Sequence, residues 1–129
     1  LSSVEIAYNT YGTLNADKSN VVWICHALTA NSDAMDWWAS FLKDGQMYDL
    51  SNTFIVCANI LGSCYGTSGP LNINPDTNQP YYSTFPEITV RDMVQVHILL
   101  RKHLEIEKIN TIYGGSLGGY QVLEWVLTE

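Results

Sequence analysis

Gly114-Gly115-Ser116-Leu117-Gly118-Gly119 is the stretch of this sequence whose residue types and spacing offer covalent chemistry. A serine between glycines is a weak signal alone, because short Gly/Ser patterns arise often by chance. Its setting strengthens it. Ile109-Asn110-Thr111-Ile112-Tyr113 reads as a strand, and Tyr120 through Leu127 has helical spacing with no breaker. Strand, turn and helix in that order are the surroundings a nucleophile elbow requires. A serine thrust out on such a turn brings the flanking backbones together, and Gly114, Gly118 and Gly119 lack the Cβ that would hold them apart. Ser116 is therefore the candidate nucleophile for attack on an acyl carbon.

A serine just ahead of a helix also faces that helix's free N–H groups and positive dipole end, which suit an oxyanion. The N–H of Leu117 is the first expected donor. The second must come from a loop after another strand, and His26-Ala27-Leu28-Thr29 leaves the apolar run Val21–Cys25 at a suitable point. The N–H of Leu28 is the candidate. A plain glycine turn holding a phosphate is the competing reading. No Lys follows the glycines as in a Walker loop, and no Gly-x-Gly-x-x-Gly spacing is present.

A serine nucleophile needs a histidine within hydrogen-bond reach and a carboxylate to hold the imidazole. Three histidines are available. His26, at a strand end, suits a structural bond to loop backbone; His97 lies on the apolar stripe of a helix and reads as a satisfied core histidine. His103, beside Arg101 and Lys102, suits the dipole at a helix end. Asp33, Asp36, Asp44, Asp49 and Asp92 all precede the serine and read as caps, turn residues or solvated surface. Elbows of this type take their acid and then their base after the serine, yet the residues following Ser116 contain neither Asp nor His. The expectation is a truncated chain, inactive by itself, whose acid and base lie beyond Glu129.

The elements that must position Ser116 can be read from periodicity. Val4–Tyr8 alternates and meets Tyr11-Gly12, as in an outer strand pairing antiparallel near an edge. Val21–Cys25 and Phe54–Ala58 are continuous apolar runs, the pattern of parallel strands covered on both faces. A short helix from about Trp37 to Tyr48 between them makes a βαβ unit. Residues Asn59 to Pro86 hold all four prolines and read as a long loop packed down by Tyr65, Tyr81, Tyr82 and Phe85. Thr89, with Asp92 three residues on, caps a helix running to about His103. The sum is an α/β fold of the α/β-hydrolase type, a mostly parallel sheet with flanking helices, of which residues 1–129 form the N-terminal part of one core domain.

Composition bounds the partners. The 129 residues are 47% hydrophobic and 15% charged, which predicts a packed core. A net charge of −7 with scattered Lys and Arg speaks against nucleic acid. No apolar stretch reaches the ~20 residues of a membrane span, and no basic-then-apolar leader opens the chain. Cys25 and Cys57 fall in apolar runs and read as buried free thiols of a reducing cytoplasm; Cys64 sits in a Gly/Ser-rich loop with no base beside it in sequence.

Four segments then carry a resemblance in their order. His26-Ala27-Leu28-Thr29, the loop Leu61–Pro70, the segment Phe85-Pro86 through Thr89–Val94, and Gly114–Gly119 together resemble homoserine O-acetyltransferases, across nearly the whole chain. That resemblance implies a serine that takes acetyl from acetyl-CoA and passes it to the hydroxyl of L-homoserine, in methionine biosynthesis. It implies acetyl-CoA as co-substrate, no bound cofactor or metal, and a longer homodimeric protein with a helical lid. Thr29 matches a position near the substrate. The sequence departs from the family at Ala30 and Ser63, where Gly is usual, and at Tyr120, where Met is common; Ala and Ser tolerate positive φ less well than Gly. A homoserine O-succinyltransferase, a serine esterase of the same fold, and a half-fold that binds without catalysis are the rival readings.

Overall fold

The computed structural model describes residues 1, 3–42 and 47–129. Its centre is strand β2 (Val21–Cys25), five consecutive residues with no exposure on either face. A run of Val, Trp and Ile without alternation forms such a strand because both pleat faces must be covered. Strand β1 (Tyr8–Gly12) alternates in burial and forms the outer edge, while β3 (Phe54–Ala58) and β6 (Thr111–Gly114) flank β2. The sheet order is β1-β3-β2-β6, with β1 antiparallel to β3 and the other pairs parallel. Between β3 and β6 run a two-residue hairpin, β4 (Ile73–Asn74) and β5 (Gln79–Pro80), and a single 3₁₀ turn at Tyr82–Thr84.

Side chains from β2 and β3 separate into two apolar layers. Val21, Trp23, Cys25, Val56 and Ala58 pack with Val94, Ile98 and Trp125 of two long helices, α3 (Val90–His103) and α4 (Leu117–Thr128). Val22, Ile24, Ile55 and Cys57 pack on the opposite face with Ala34 and Leu42, from the short helices α1 (Ala34–Trp37) and α2 (Ala39–Leu42). Helix α3 begins at the expected capping box. The Asp92 N–H donates to Thr89 Oγ1 at 3.2 Å and the Thr89 N–H to Asp92 Oδ2 at 2.8 Å. The side-chain bond from Thr89, then its backbone bond, hold the Asp92 carboxyl below its ordinary range.

Three boundaries differ from the sequence reading. The outer strand begins at Tyr8 rather than Val4, because residues 5–7 pair with the loop instead. Glu5 N–H donates to Ser68 Oγ at 2.8 Å, Ala7 N–H to Thr67 Oγ1 at 3.0 Å, and Ser68 N–H to the Glu5 carbonyl at 3.0 Å. The third parallel strand starts at Thr111, since Asn110 N–H closes the preceding turn onto the Val21 carbonyl at 2.9 Å. The helix expected over 37–48 is two single turns starting at Ala34; residues 43–46, including Asp44, lie outside the described residues. The long loop packs down as expected, with Thr67 and Ser68 buried and Tyr81 edge-on to Phe85.

Helix α4 leaves Tyr120, Leu123, Val126 and Leu127 exposed, and β6 ends the sheet with one edge unpaired. No helix among the described residues is long and apolar enough to cross a membrane. All three cysteines are free. Cys25 and Cys57 are buried and Cys64 is exposed; burial pushes the Cys57 thiol up to about 12.

His97 is buried completely between Trp23 and Trp125, with ring centroids 6.0 and 6.1 Å away. The expectation of a satisfied histidine is corrected here. Neither ring nitrogen has a hydrogen-bond partner among the described residues, and the Asn59 backbone lies near without forming a bond of acceptable geometry. Burial first, and the neighbouring His26 second, lower its pKa from 6.5 to about 3. Below pH 6.5 the unfolded chain takes up a proton that the folded chain refuses, so stability falls as pH drops from 6.5 towards 3. His97→Gln should therefore flatten the dependence of unfolding free energy on pH by about 1.4 kcal/mol per unit over that window. Denaturant titrations at stepped pH check this, and an unchanged slope would contradict a buried neutral ring.

Candidate functional site

Strand β6 ends at Gly114 and helix α4 begins at Leu117, so Ser116 occupies the turn between them. Its backbone sits at φ 54° and ψ −124°. A positive φ at a residue with a Cβ costs about 1–3 kcal/mol and persists where the surroundings hold it. Here they do. A Cβ on Gly114 would lie 2.1 Å from the Gly118 carbonyl oxygen, and a Cβ on Gly118 would lie 2.0 Å from the Cys25 carbonyl oxygen. All of these atoms are backbone and cannot swing aside. Gly119 differs from the sequence reading, because a Cβ there would meet the Gly114 carbonyl oxygen at an ordinary 3.5 Å. Two glycines, not three, make the approach possible.

That approach brings the start of α4 against the end of β2 and the loop that follows. Ala30 N–H donates to the Ala27 carbonyl at 3.0 Å, closing a turn whose two central residues are Leu28 and Thr29. Leu28 is 68% exposed, Thr29 is exposed, and neither N–H finds an acceptor among the described residues. In the elbow, Gly118 N–H donates to the Gly115 carbonyl and Gly119 N–H to the Ser116 carbonyl, each at 2.9 Å. The N–H of Leu117 is left open in the same way, and Ser116 is exposed with no side-chain cap bond. Three open donors, at Leu28, Thr29 and Leu117, and an exposed hydroxyl thus lie on the two segments whose backbones touch at Gly118 and Cys25. Ala30 and Ser63, the two departures from glycine, both lie outside positive φ.

Buried polar side chains hold the loop. His26 has no exposure; its Nδ1 lies 2.8 Å from the Ala27 carbonyl, and its Nε2 accepts the Ile60 N–H at 3.2 Å. The tautomer with its proton on Nδ1 satisfies both contacts. Burial keeps this ring's pKa low, and both nitrogens are committed to backbone, which suits the structural role and not that of a base. Asn59, unremarked in the sequence, ties the next loop to this one. Its Oδ1 accepts the Ser32 N–H at 2.8 Å and its Nδ2 donates to the Tyr65 carbonyl at 2.9 Å. Ser32 Oγ in turn donates to Asn9 Oδ1 of β1 at 2.6 Å. The signal was there: a polar residue directly after a continuous apolar strand must find partners once buried.

The other titratable groups keep away from chemistry. His103 is exposed at the end of α3, Asp33 accepts the Tyr11 hydroxyl at 2.8 Å, and Asp49 holds a turn through Ser51 and Asn52. Among the described residues no cluster of His, Cys, Asp and Glu could hold a metal.

Comparison with known proteins identifies the fold family. The model of the alpha/beta hydrolase fold family matches residues 20–129. The homoserine O-acetyltransferase of Chlorobaculum tepidum is 54% identical over 125 residues, covering 97% of this chain and 35% of that protein. That of Nostoc punctiforme is 50% identical over 127 residues, covering 98% and 36%. The chain spans about a third of the length of these curated relatives. Among solved structures, homoserine O-acetyltransferase from Bacillus anthracis superposes with TM-score 0.88 at 32% identity, covering 96% of this chain and 38% of that one. An acetylester hydrolase from Corynebacterium glutamicum superposes with TM-score 0.81 at 30% identity, covering 95% and 34%.

The glycine geometry yields a paired test. Gly118→Ala should cost about 3 kcal/mol, the upper end of the usual range for overpacking, because backbone must move. Gly119→Ala, in a helix with room for the methyl, should be neutral or stabilise by up to about 1 kcal/mol. Urea unfolding midpoints of the two variants in the full-length protein check the contrast; equal losses would contradict it.

Proposed function

The chain belongs to the α/β-hydrolase-fold family, and we propose that it is the nucleophile-bearing part of a homoserine O-acetyltransferase. The observation that carries this is Ser116, exposed and held at positive φ on the turn ahead of α4, whose first turn meets the backbone at Cys25 and His26, where the Leu28 loop begins. The names of the relatives, at about half identity, support homoserine as acceptor and acetyl as the group transferred; acetyl-CoA as its donor is part of the proposal.

In this reading Ser116 Oγ attacks the thioester carbon of acetyl-CoA. The carbonyl oxygen becomes an oxyanion accepting from the N–H groups of Leu117 and Leu28, with the start of α4 adding its dipole. The serine proton passes to a base and then to the departing CoA sulfur, leaving acetyl on Ser116. The hydroxyl of L-homoserine then attacks the acetyl carbon and gives its proton to the base; as the Oγ–acyl bond breaks the base returns that proton to Ser116 Oγ, and O-acetylhomoserine leaves with serine and base restored. We place that base and its carboxylate partner outside residues 1–129, since His26 and His97 are held by backbone and core. These residues alone are then inactive. Thr29, exposed in the same turn as Leu28, is assigned in this reading to contact the substrate. A cytoplasmic homodimer, with lid and remaining core supplied by further chain, completes the proposal.

Resolution of the same acyl-enzyme by water is the second reading, favoured by the likeness to an acetylester hydrolase. One experiment separates the two. The full-length protein, quenched rapidly after mixing with acetyl-CoA, should carry an acetyl group on the Ser116 peptide that disappears on adding homoserine, with O-acetylhomoserine formed. Ser116→Ala should lower turnover by more than about a thousandfold. Adduct loss at the same rate without homoserine would favour hydrolysis, transfer from succinyl-CoA alone would change the acyl group, and turnover within tenfold in Ser116→Ala would overturn the nucleophile.

A further inference from the structure

Gln121 is buried completely, one turn into the helix that begins beside Ser116. Its Nε2 donates to the His26 carbonyl and to the Leu117 carbonyl, each at 3.4 Å. Chemistry sets this orientation, because turning the amide over would press Oε1 against two carbonyl oxygens. The two acceptors belong to the two segments that carry the proposed donors. His26 leads into the turn carrying Leu28, and Leu117 starts the elbow helix. One side chain therefore spans from one proposed donor segment to the other, alongside the contact that Gly118 makes with the Cys25 carbonyl.

The same amide is a poor source of stability. Both of its hydrogen bonds are long, and Oε1 is buried without a partner among the described residues. Replacing it by an apolar side chain of similar volume removes one orphaned acceptor, Oε1, and creates another, the His26 carbonyl. The exchange should be close to neutral for folding.

We infer that Gln121 is a positioning residue, which sets the separation of the Leu28 and Leu117 N–H groups and so the fit of the oxyanion site, without touching substrate. This rests on the reading of Ser116 as nucleophile with those two donors. Preorganised donors act only at the right distance, and displacement by about 1 Å can cost about a hundredfold in rate.

The test uses the full-length protein with Gln121→Met, and with Gln121→Asn as the variant that carries the test if Met prevents folding. Acetyl-transfer kcat, KM for acetyl-CoA, inhibition by a small alkylboronic acid that forms a tetrahedral adduct on the serine, and melting temperature are measured together. The expected result is a fall in kcat of about 10- to 100-fold with a matching loss of boronate affinity. KM should stay within about twofold and the melting temperature within about 4 °C. A purely structural role would instead lower the melting temperature and leave kcat and boronate affinity of the folded enzyme unchanged. If Ser116→Ala is inactive while the folded Gln121 variant keeps kcat and boronate affinity within twofold, this inference alone fails. If Ser116→Ala remains active, the underlying nucleophile reading fails instead.

Discussion

Contact between the backbone of Gly118 and the carbonyl of Cys25 is the constraint on which the rest of the site depends. Two main chains meet there with no side chain between them. On one side is the end of β2, the most deeply buried strand, held in register by parallel neighbours at Phe54–Cys57 and Thr111–Gly114. On the other is the first turn of α4, whose free N–H groups and dipole are its functional end. Bringing them together leaves the serine between Gly115 and Leu117 little choice of backbone, and it takes a conformation that a residue with a Cβ rarely adopts. Strain at Ser116 is thus a consequence of packing elsewhere, which is how it can persist.

The loops around that contact are ordered by buried polar groups. His26, Asn59, Ser32 and Gln121 each bond to backbone or to one another across long sequence separations. Such groups specify geometry more than they add stability, because each bond made in the interior replaces one made to water. His97 shows the opposite case. It is buried between Trp23 and Trp125 with neither nitrogen partnered among the described residues, and its neutral form is what the layer accommodates.

The elements that could be read from sequence were those whose pattern is local. Continuous apolar runs marked β2 and β3, Thr89 and Asp92 marked the start of α3, and glycines between strand and helix marked the elbow. What could not be read depended on partners far along the chain. Residues 5–7 alternate like a strand, yet their backbone is taken by Thr67 and Ser68, some sixty positions away. Gly119 looked as necessary as Gly118 because spacing cannot say which glycine faces another backbone. Gln121 is illegible for the same reason, since a polar residue in a helix reads as surface until its burial is known; Asn59 is marked by its place after an apolar strand, but its partners Ser32 and Tyr65 are not. No acid or base for Ser116 is legible, because residues 117–129 contain neither Asp nor His.

The central claim is that the close approach at Gly118 aims two backbone donors at one point beside Ser116. The most direct measurement is a crystal structure of the full-length protein after reaction of Ser116 with a small alkyl phosphonate, whose phosphoryl oxygen stands in for the oxyanion. The account predicts that oxygen at about 2.7–3.1 Å from both the Leu117 and the Leu28 nitrogens. A phosphoryl oxygen that turns to solvent, or that bonds to Leu117 alone, would contradict it.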